Sequence, residues 1–357
     1  MTSTFLKEFY SFMNILRCLL GGLLIVTSGC VSANRPPLIS AEAAAEQIKH
    51  FYETRGDELE PQKRAHFKLR LYRSSGDPKY LEDIQRYAQS LRSYLKIHNS
   101  RLSEPRYVET TALKLLNKEG PGRKHQMRRR VLERYPEFPF YHRLIYLFYQ
   151  LKGLGFDVHS PLFKTSYEAL QKYDFRSVLR DREIIAYYAA GAATTVYHLK
   201  SIGIADFEAE FLKYFQELFM ADPDVHLGAV EYENKLYGLT HIIIAASDYY
   251  QHEVPAEEFR WVLDYFSTNI NEILSRTKWD VIAEVGLCFR LAGMKNHPVI
   301  SKTRGAILRG FDSEKGMIPG KMNPLDLNRL EHRNILSYLL LKDFDRFYSG
   351  PVVVGEN

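Results

Sequence analysis

The sequence predicts an all-α protein assembled from helical hairpins. Three observations carry that expectation. Apolar residues recur at three- and four-residue spacing along most of the chain. No segment keeps the period-two alternation of a half-buried strand. Gly and Pro, at 21 and 15 of 357 residues, are too few for a β fold with many tight turns. The 45% apolar and 25% charged fractions are those of a folded globular chain, which excludes wholesale disorder, and 24 Tyr and 21 Phe supply bulky core material.

Residues 1–29 differ from the rest. From Met13, where translation is expected to begin, a single positive charge at Arg17 precedes an apolar run from Cys18 to Val26, then small residues, then Cys30. That order is the order of a secretory signal. The run is about half of the roughly 20 residues a membrane span needs. Val26-Thr27-Ser28-Gly29-Cys30 resembles the bacterial lipobox, although Thr27 stands where that family usually has leucine. The resemblance implies cleavage before Cys30 and a palmitate-bearing lipid anchor on its thiol. Val31 after the cysteine implies sorting to the outer membrane, facing the periplasm. The mature chain then keeps only Cys288, placed in an apolar helix pattern and read as inert core.

Loss of the signal removes Lys7, Arg17 and Glu8 and lowers the formal charge of +5 by one. A mildly basic protein suits anionic lipid or glycan and carries no nucleic-acid signature. The densest basic run, Arg123 to Arg130, reads as a solvated helix face.

Residues 30–39 form an extended tether with a Pro-Pro pair. An N-terminal helical region, 40–152, follows. Ser40 caps a helix over Ala41 to Arg55, a second helix runs to Arg73, and Ser74 to Pro78 break the chain. Lys79 to His98 is amphipathic, and further helices are expected near 106–118, 123–134 and 138–152. A C-terminal domain, 153–349, is more regular, and 350–357 is a tail. Apolar helices near 182–200, 237–248, 279–291 and 331–347 recur at intervals of about 45 to 55 residues. Amphipathic partners near 206–220, 256–274 and 299–310 alternate with them.

A helix apolar on all sides must be surrounded by others. Inner apolar helices with outer amphipathic partners fit an α/α toroid, and also a curved α-solenoid. The loop Phe311-Asp-Ser-Glu-Lys-Gly-Met-Ile-Pro319 resembles loops between toroid hairpins, which favours the toroid. Residues 230–346 also resemble a family of bacterial proteins that carry a domain of unknown function. The matching stretches are Gly238-Leu-Thr-His241, Trp279-Asp-Val-Ile-Ala-Glu284, Lys315-Gly-Met-Ile-Pro319 and Glu331-His-Arg-Asn334. This likeness implies no activity.

A toroid points one set of inner-helix ends at a shared cavity, where polar residues converge. His241, Asp280, Glu284 and His332 are the candidate catalytic residues. Asp248, Glu331, Asn334 and Tyr237 are the candidate ligand contacts. Asp280 and Glu284, four apart, share a helix face, and His241 and Asp248, seven apart, share another. An ionisable group within an apolar helix is costly unless satisfied. Such groups serve acid–base chemistry, or they are structural: Asp280 as a cap, Glu284 paired with Arg290, His332 and Asn334 bound to loop carbonyls. No HExxH or CxxC spacing supports a metal. The chain lacks a P-loop, a dinucleotide fingerprint and a GxSxG elbow, so no cofactor is expected. The leading expectation is an envelope lipoprotein that binds an envelope glycan or protein partner in a helical concavity. The alternative is a polysaccharide- or peptidoglycan-active lyase or hydrolase.

Overall fold

The computed structural model describes residues 39–118, 120–220, 224–320 and 325–353. The expected signal peptide and Cys30 lie outside the described residues. No described helix is long and apolar enough to cross a membrane.

The described residues contain 16 α-helices and no strand. In chain order they are α1 (Ala41–Thr54), α2 (Pro61–Ser75), α3 (Leu81–Arg101), α4 (Tyr107–Leu116), α5 (Arg123–Leu132), α6 (Phe138–Gly153), α7 (Lys164–Lys172) and α8 (Phe175–Arg180). Then come α9 (Arg182–Tyr187), α10 (Ala189–Ser201), α11 (Glu208–Phe219), α12 (Ala229–Ala246), α13 (Arg260–Arg276), α14 (Trp279–Leu291), α15 (Pro298–Gly310) and α16 (Leu327–Leu341). Seven helices close a ring: α2 packs on α3, α3 on α6, α6 on α10, α10 on α12, α12 on α14, α14 on α16, and α16 returns to α2. The outer layer covers them, with α1 against α16, α15 against α14, and α11 against α10. The ring therefore draws on both the 40–152 and the 153–349 stretches. In the C-terminal hairpins the expected contrast between an apolar first helix and an amphipathic partner is seen, since α14 is buried from Val281 to Leu291 and α13 buries one stripe, whereas the ring helices α2 and α3 carry many polar residues.

Local chemistry sets the ends. The Ser40 hydroxyl accepts from Ala43 N, Pro61 opens α2 at a position that needs no N–H, and Gly76 closes it at φ +69°. Gly286 is where α14, α15 and α16 approach closest, since a Cβ there would lie 2.4 Å from the Thr303 hydroxyl and 2.6 Å from Leu340. The 182–200 helix is broken at Tyr188, whose ring folds over Gly191. The last helix begins a turn earlier than expected because Asp326 caps it by accepting from Arg329 N. It also stops at Leu341, not Phe347. Arg290 donates to the carbonyls of Leu339 and Lys342, and Arg304 to Leu340, so the helix end is held by side chains and the chain turns away.

Two connections shape the centre. The loop at 311–319 is clamped by Asn334, whose carbonyl oxygen accepts from Ile318 N at 2.8 Å while its amide donates to the carbonyls of Ile318 and Leu330. The second is the turn after α12. Asp248, Tyr249 and Tyr250 take φ of +50°, +58° and +71°, a left-handed run with no glycine. Such residues cost about 1–2 kcal/mol each and gather at functional sites. Tertiary bonds hold the run: Arg73 donates to the Tyr249 carbonyl at 2.8 Å, and Tyr250 N to the Ser247 hydroxyl at 3.0 Å. A C-terminal strap then crosses the ring, with Tyr348 N on the Arg73 carbonyl and Val353 N on the Leu154 carbonyl, both at 2.9 Å.

Candidate active site

The ring helices carry titratable groups inward. α2 gives His66, α6 gives His142, α10 gives His198, α12 gives His241, α14 gives Glu284 and α16 gives Glu331 and His332. Three of the four residues expected to be catalytic meet directly. Glu284 lies 3.9 Å from His241 Nδ1 and 3.6 Å from His332 Nε2, and it accepts from the Thr240 hydroxyl at 2.7 Å. The fourth, Asp280, receives the Tyr237 hydroxyl at 2.5 Å, and Tyr237 stands one turn before His241.

A second imidazole–carboxylate pair abuts the first. His66 Nδ1 lies 2.5 Å from Glu331 Oε1, Lys63 Nζ is 3.6 Å from the other oxygen, and the His66 and His332 ring centroids are 5.5 Å apart. Both carboxylates are sealed, with side chains 1% and 0% accessible for Glu284 and Glu331. The imidazoles are not: His66 keeps 28%, His241 19% and His332 38% of its side-chain surface open. Each of the three imidazoles thus keeps an accessible edge over a carboxylate that has none.

The electrostatics fix the protonation pattern. Burial pushes the Glu284 carboxyl up, but His241, His332 and the Thr240 hydroxyl outweigh it and hold it below its ordinary value. Burial likewise raises Glu331, and His66, His332 and Lys63 overcome it to bring the carboxyl to about 2. Burial lowers His66 to about 3, with Arg70 adding to the effect and Glu331 opposing it. His142 falls to about 4 through burial and the nearby Arg128 and Arg143. Burial lowers His198 well below its ordinary value and lowers His241 as well. The imidazoles of His66, His142, His198 and His241 are therefore neutral beside ionised carboxylates. His241 Nδ1 lies 2.9 Å from the Tyr237 carbonyl, which can only accept, so Nδ1 carries the proton and Nε2 is bare. By the same reasoning the Glu331 carboxylate fixes the proton of His66 on Nδ1.

The remaining expected contacts fare differently. Glu331 and Tyr237 belong to the centre. Asn334 is fully buried and spends its amide on the 311–319 loop and on the Tyr52 hydroxyl, so it has no group to offer a ligand. Asp248 does not share a face with His241, because α12 ends at Ala246 and the left-handed turn carries it away. There it meets His252 and the Tyr149 hydroxyl, each at 3.3 Å, with its side chain 45% accessible. Glu284 does not pair with Arg290, whose guanidinium closes α16. Cys288 is buried and free, as expected of core.

Sequence reasoning missed His66, Arg70, His142, His198 and Lys124. The basic run at 123–130 is not wholly solvated: Lys124 sits 4.1 Å from the centroid of the Tyr237 ring and pairs with Glu233, and Arg128 lies over Tyr188. A usable signal was present for the histidines. Each of the apolar helices α6, α10 and α12 holds one, at the same hairpin repeat that places Glu284 in α14.

No group of three or more described His, Cys, Asp or Glu side chains is arranged to hold a metal ion. Comparison with curated proteins and with solved structures returned no match. One family model, described as "Domain of unknown function (DUF3541)", matches residues 41–356, taking in the 230–346 stretch whose motifs suggested such a domain. The match spans most of the chain, which therefore belongs to the DUF3541 family.

Proposed function

We propose that this protein is a lipid-anchored envelope enzyme whose ring centre performs general acid–base chemistry on an envelope glycan. One observation carries the reading. Glu284 is sealed beside His241 and His332, which come from two other helices and keep an accessible edge. A buried carboxylate beside a neutral, partly accessible imidazole is an arrangement that general-base catalysis uses, and the adjoining His66–Glu331 pair makes the orienting hydrogen bond. The two-carboxylate mechanism of most glycosidases needs both acids to face the sugar, and here Glu284 and Glu331 face imidazoles. Proton transfer therefore falls to histidine. The glycan part of the reading draws on the half-buried tyrosines near the centre, Tyr237 and Tyr249 among them, a residue type that suits sugar rings. The envelope part draws on the signal and lipobox before Cys30.

The test is turnover by the full chain of a panel of envelope polysaccharides, read as new reducing ends and as the ultraviolet absorbance of unsaturated products. Glu284→Gln and His241→Ala should each lower turnover by about 10²–10⁴ while thermal unfolding stays near that of the parent. Binding of glycan fragments with no turnover of any of them would replace the enzyme with a binding module.

A further inference from the structure

Three arginines are buried in the described residues: Arg70, Arg73 and Arg290, at 6%, 5% and 5% exposure. Two are saturated. Arg73 donates to the carbonyls of Gly350 at 3.0 Å and Tyr249 at 2.8 Å. Arg290 donates to those of Leu339, Lys342 and Phe344. Arg70 is different. Its five donors have one acceptor, the His66 carbonyl of its own helix at 3.4 Å, and its buried Nε has none. Among the described residues no carboxylate lies within ion-pair distance of it. Its other contact is with the ring of Tyr250, whose centroid is 5.6 Å away.

A buried charge without a counter-charge is unfavourable, and a protein keeps one where a ligand supplies the missing ion. The position fits that use. Arg70 follows His66 by one turn on the same helix face, and it bears electrostatically on His66, Tyr87 and Tyr249. The strained left-handed turn at 248–250 sets the Tyr250 ring beside it. A guanidinium presents a planar fork that matches a carboxylate with two parallel hydrogen bonds.

We infer that Arg70 is the seat for the carboxylate of an acidic saccharide, a uronate unit of a polymer, held next to the bare Nε2 of His66. This deepens the acid–base reading of the same centre and rests on it for the chemistry. Pairing with Arg70 neutralises the uronate carboxylate and acidifies the hydrogen on the adjacent ring carbon. His66 Nε2 takes that proton. The released C–H electron pair forms a carbon–carbon double bond as the next carbon loses its bond to the glycosidic oxygen. The departing oxygen receives the proton from the His66 imidazolium, which restores the base. One polymer becomes two, one of them with an unsaturated end, and no co-reactant is consumed.

The experiment is calorimetric titration of the full chain with trimers of galacturonate, mannuronate and glucuronate, their methyl esters, and inorganic phosphate. Binding of at least one uronate trimer is expected. Esterification or Arg70→Met should weaken it by about tenfold to a hundredfold. Unliganded Arg70→Met should resist urea at least as well as the parent, whereas Arg73→Met should unfold more easily. His66→Gln should still bind the trimer and fail to cleave it. Binding unchanged in Arg70→Met, a marked loss of stability in that variant, or binding of phosphate but of no uronate would overturn the assignment. If the trimer binds through Arg70 and His66→Gln cleaves it normally, the carboxylate seat stands and the acid–base reading falls.

Discussion

Acid should undo this fold from its centre. His66 and His142 stay neutral down to about 3 and about 4. In an unfolded chain a histidine takes its proton near about 6.5. Between those values the unfolded chain binds protons that the folded one refuses. The stabilisation is complete above the unfolded value and is withdrawn as the pH falls toward the folded one. Two protons at about 1.4 kcal/mol per pH unit each give about 5 kcal/mol lost between about pH 6 and about pH 4. His198 and His241, also depressed by burial, act in the same direction. Glu331 contributes with the same sign in a lower window, from its ordinary value near about 4.3 down through about 2. A domain of ordinary stability holds about 5–15 kcal/mol, so unfolding should set in by about pH 4. The assay is the urea midpoint followed by circular dichroism from about pH 8 to about pH 4 at constant ionic strength. His142→Gln, which keeps a hydrogen-bonding group near Thr195, should flatten the limb by one proton's share. A midpoint unchanged between about pH 7 and about pH 5 would refute the reasoning.

Three other outcomes are expected. Asn334→Ala strips the Ile318 N–H and carbonyl of their partner inside the core and should cost about 2–5 kcal/mol by urea titration; a loss below about 1 kcal/mol would show that the loop finds other partners. Gly286→Ala should cost about 1–3 kcal/mol, because the new methyl meets the Thr303 hydroxyl and Leu340 where three helices converge; an unchanged melting temperature would contradict that close contact. Cys30→Ser should abolish metabolic labelling by palmitate, and continued labelling of the Ser variant would remove the lipid anchor from the proposal.

Helix positions were legible wherever an apolar stripe or an all-round apolar run dictated burial, as in α6 and α14, whereas α12 begins at Ala229, two turns before the apolar run that announced it. The inner and outer layers followed from the same pattern. What stayed hidden was the direction of a polar face. The 123–130 run read as a solvated face and the helix ending at Arg73 drew no site residue, because Lys124, His66 and Arg70 sit among charged neighbours, yet the fold sets those groups against Tyr237, Glu331 and Tyr250. A polar stripe has the same sequence signature whether it faces water or the polar groups of another helix. The end of α12 was also illegible: Ala-Ala-Ser-Asp-Tyr-Tyr continues a helical pattern, and the bond from Arg73, 176 residues away, holds the turn that departs from it. Glu284, His241 and His332 were found because ionisable groups in apolar helices have few inexpensive explanations.

The seam between α16 and the first two helices makes order of synthesis matter. His66 meets Glu331 across 265 residues of chain, and Glu42 meets Lys342 across 300. A ribosome releases α1 and α2 first; α2 soon meets α3, but α16, which α1 covers and which is the other ring neighbour of α2, is complete only when Leu341 has emerged. Closing so long a loop costs entropy that nothing repays before the last helix arrives. The nascent chain thus spends most of its synthesis as an open string of hairpins, with the reactive centre unassembled. For a chain with the signal proposed here, an open form suits threading through a translocation pore. The proposed activity would then appear only after delivery, when the two ends of the domain are in one compartment and the ring can shut.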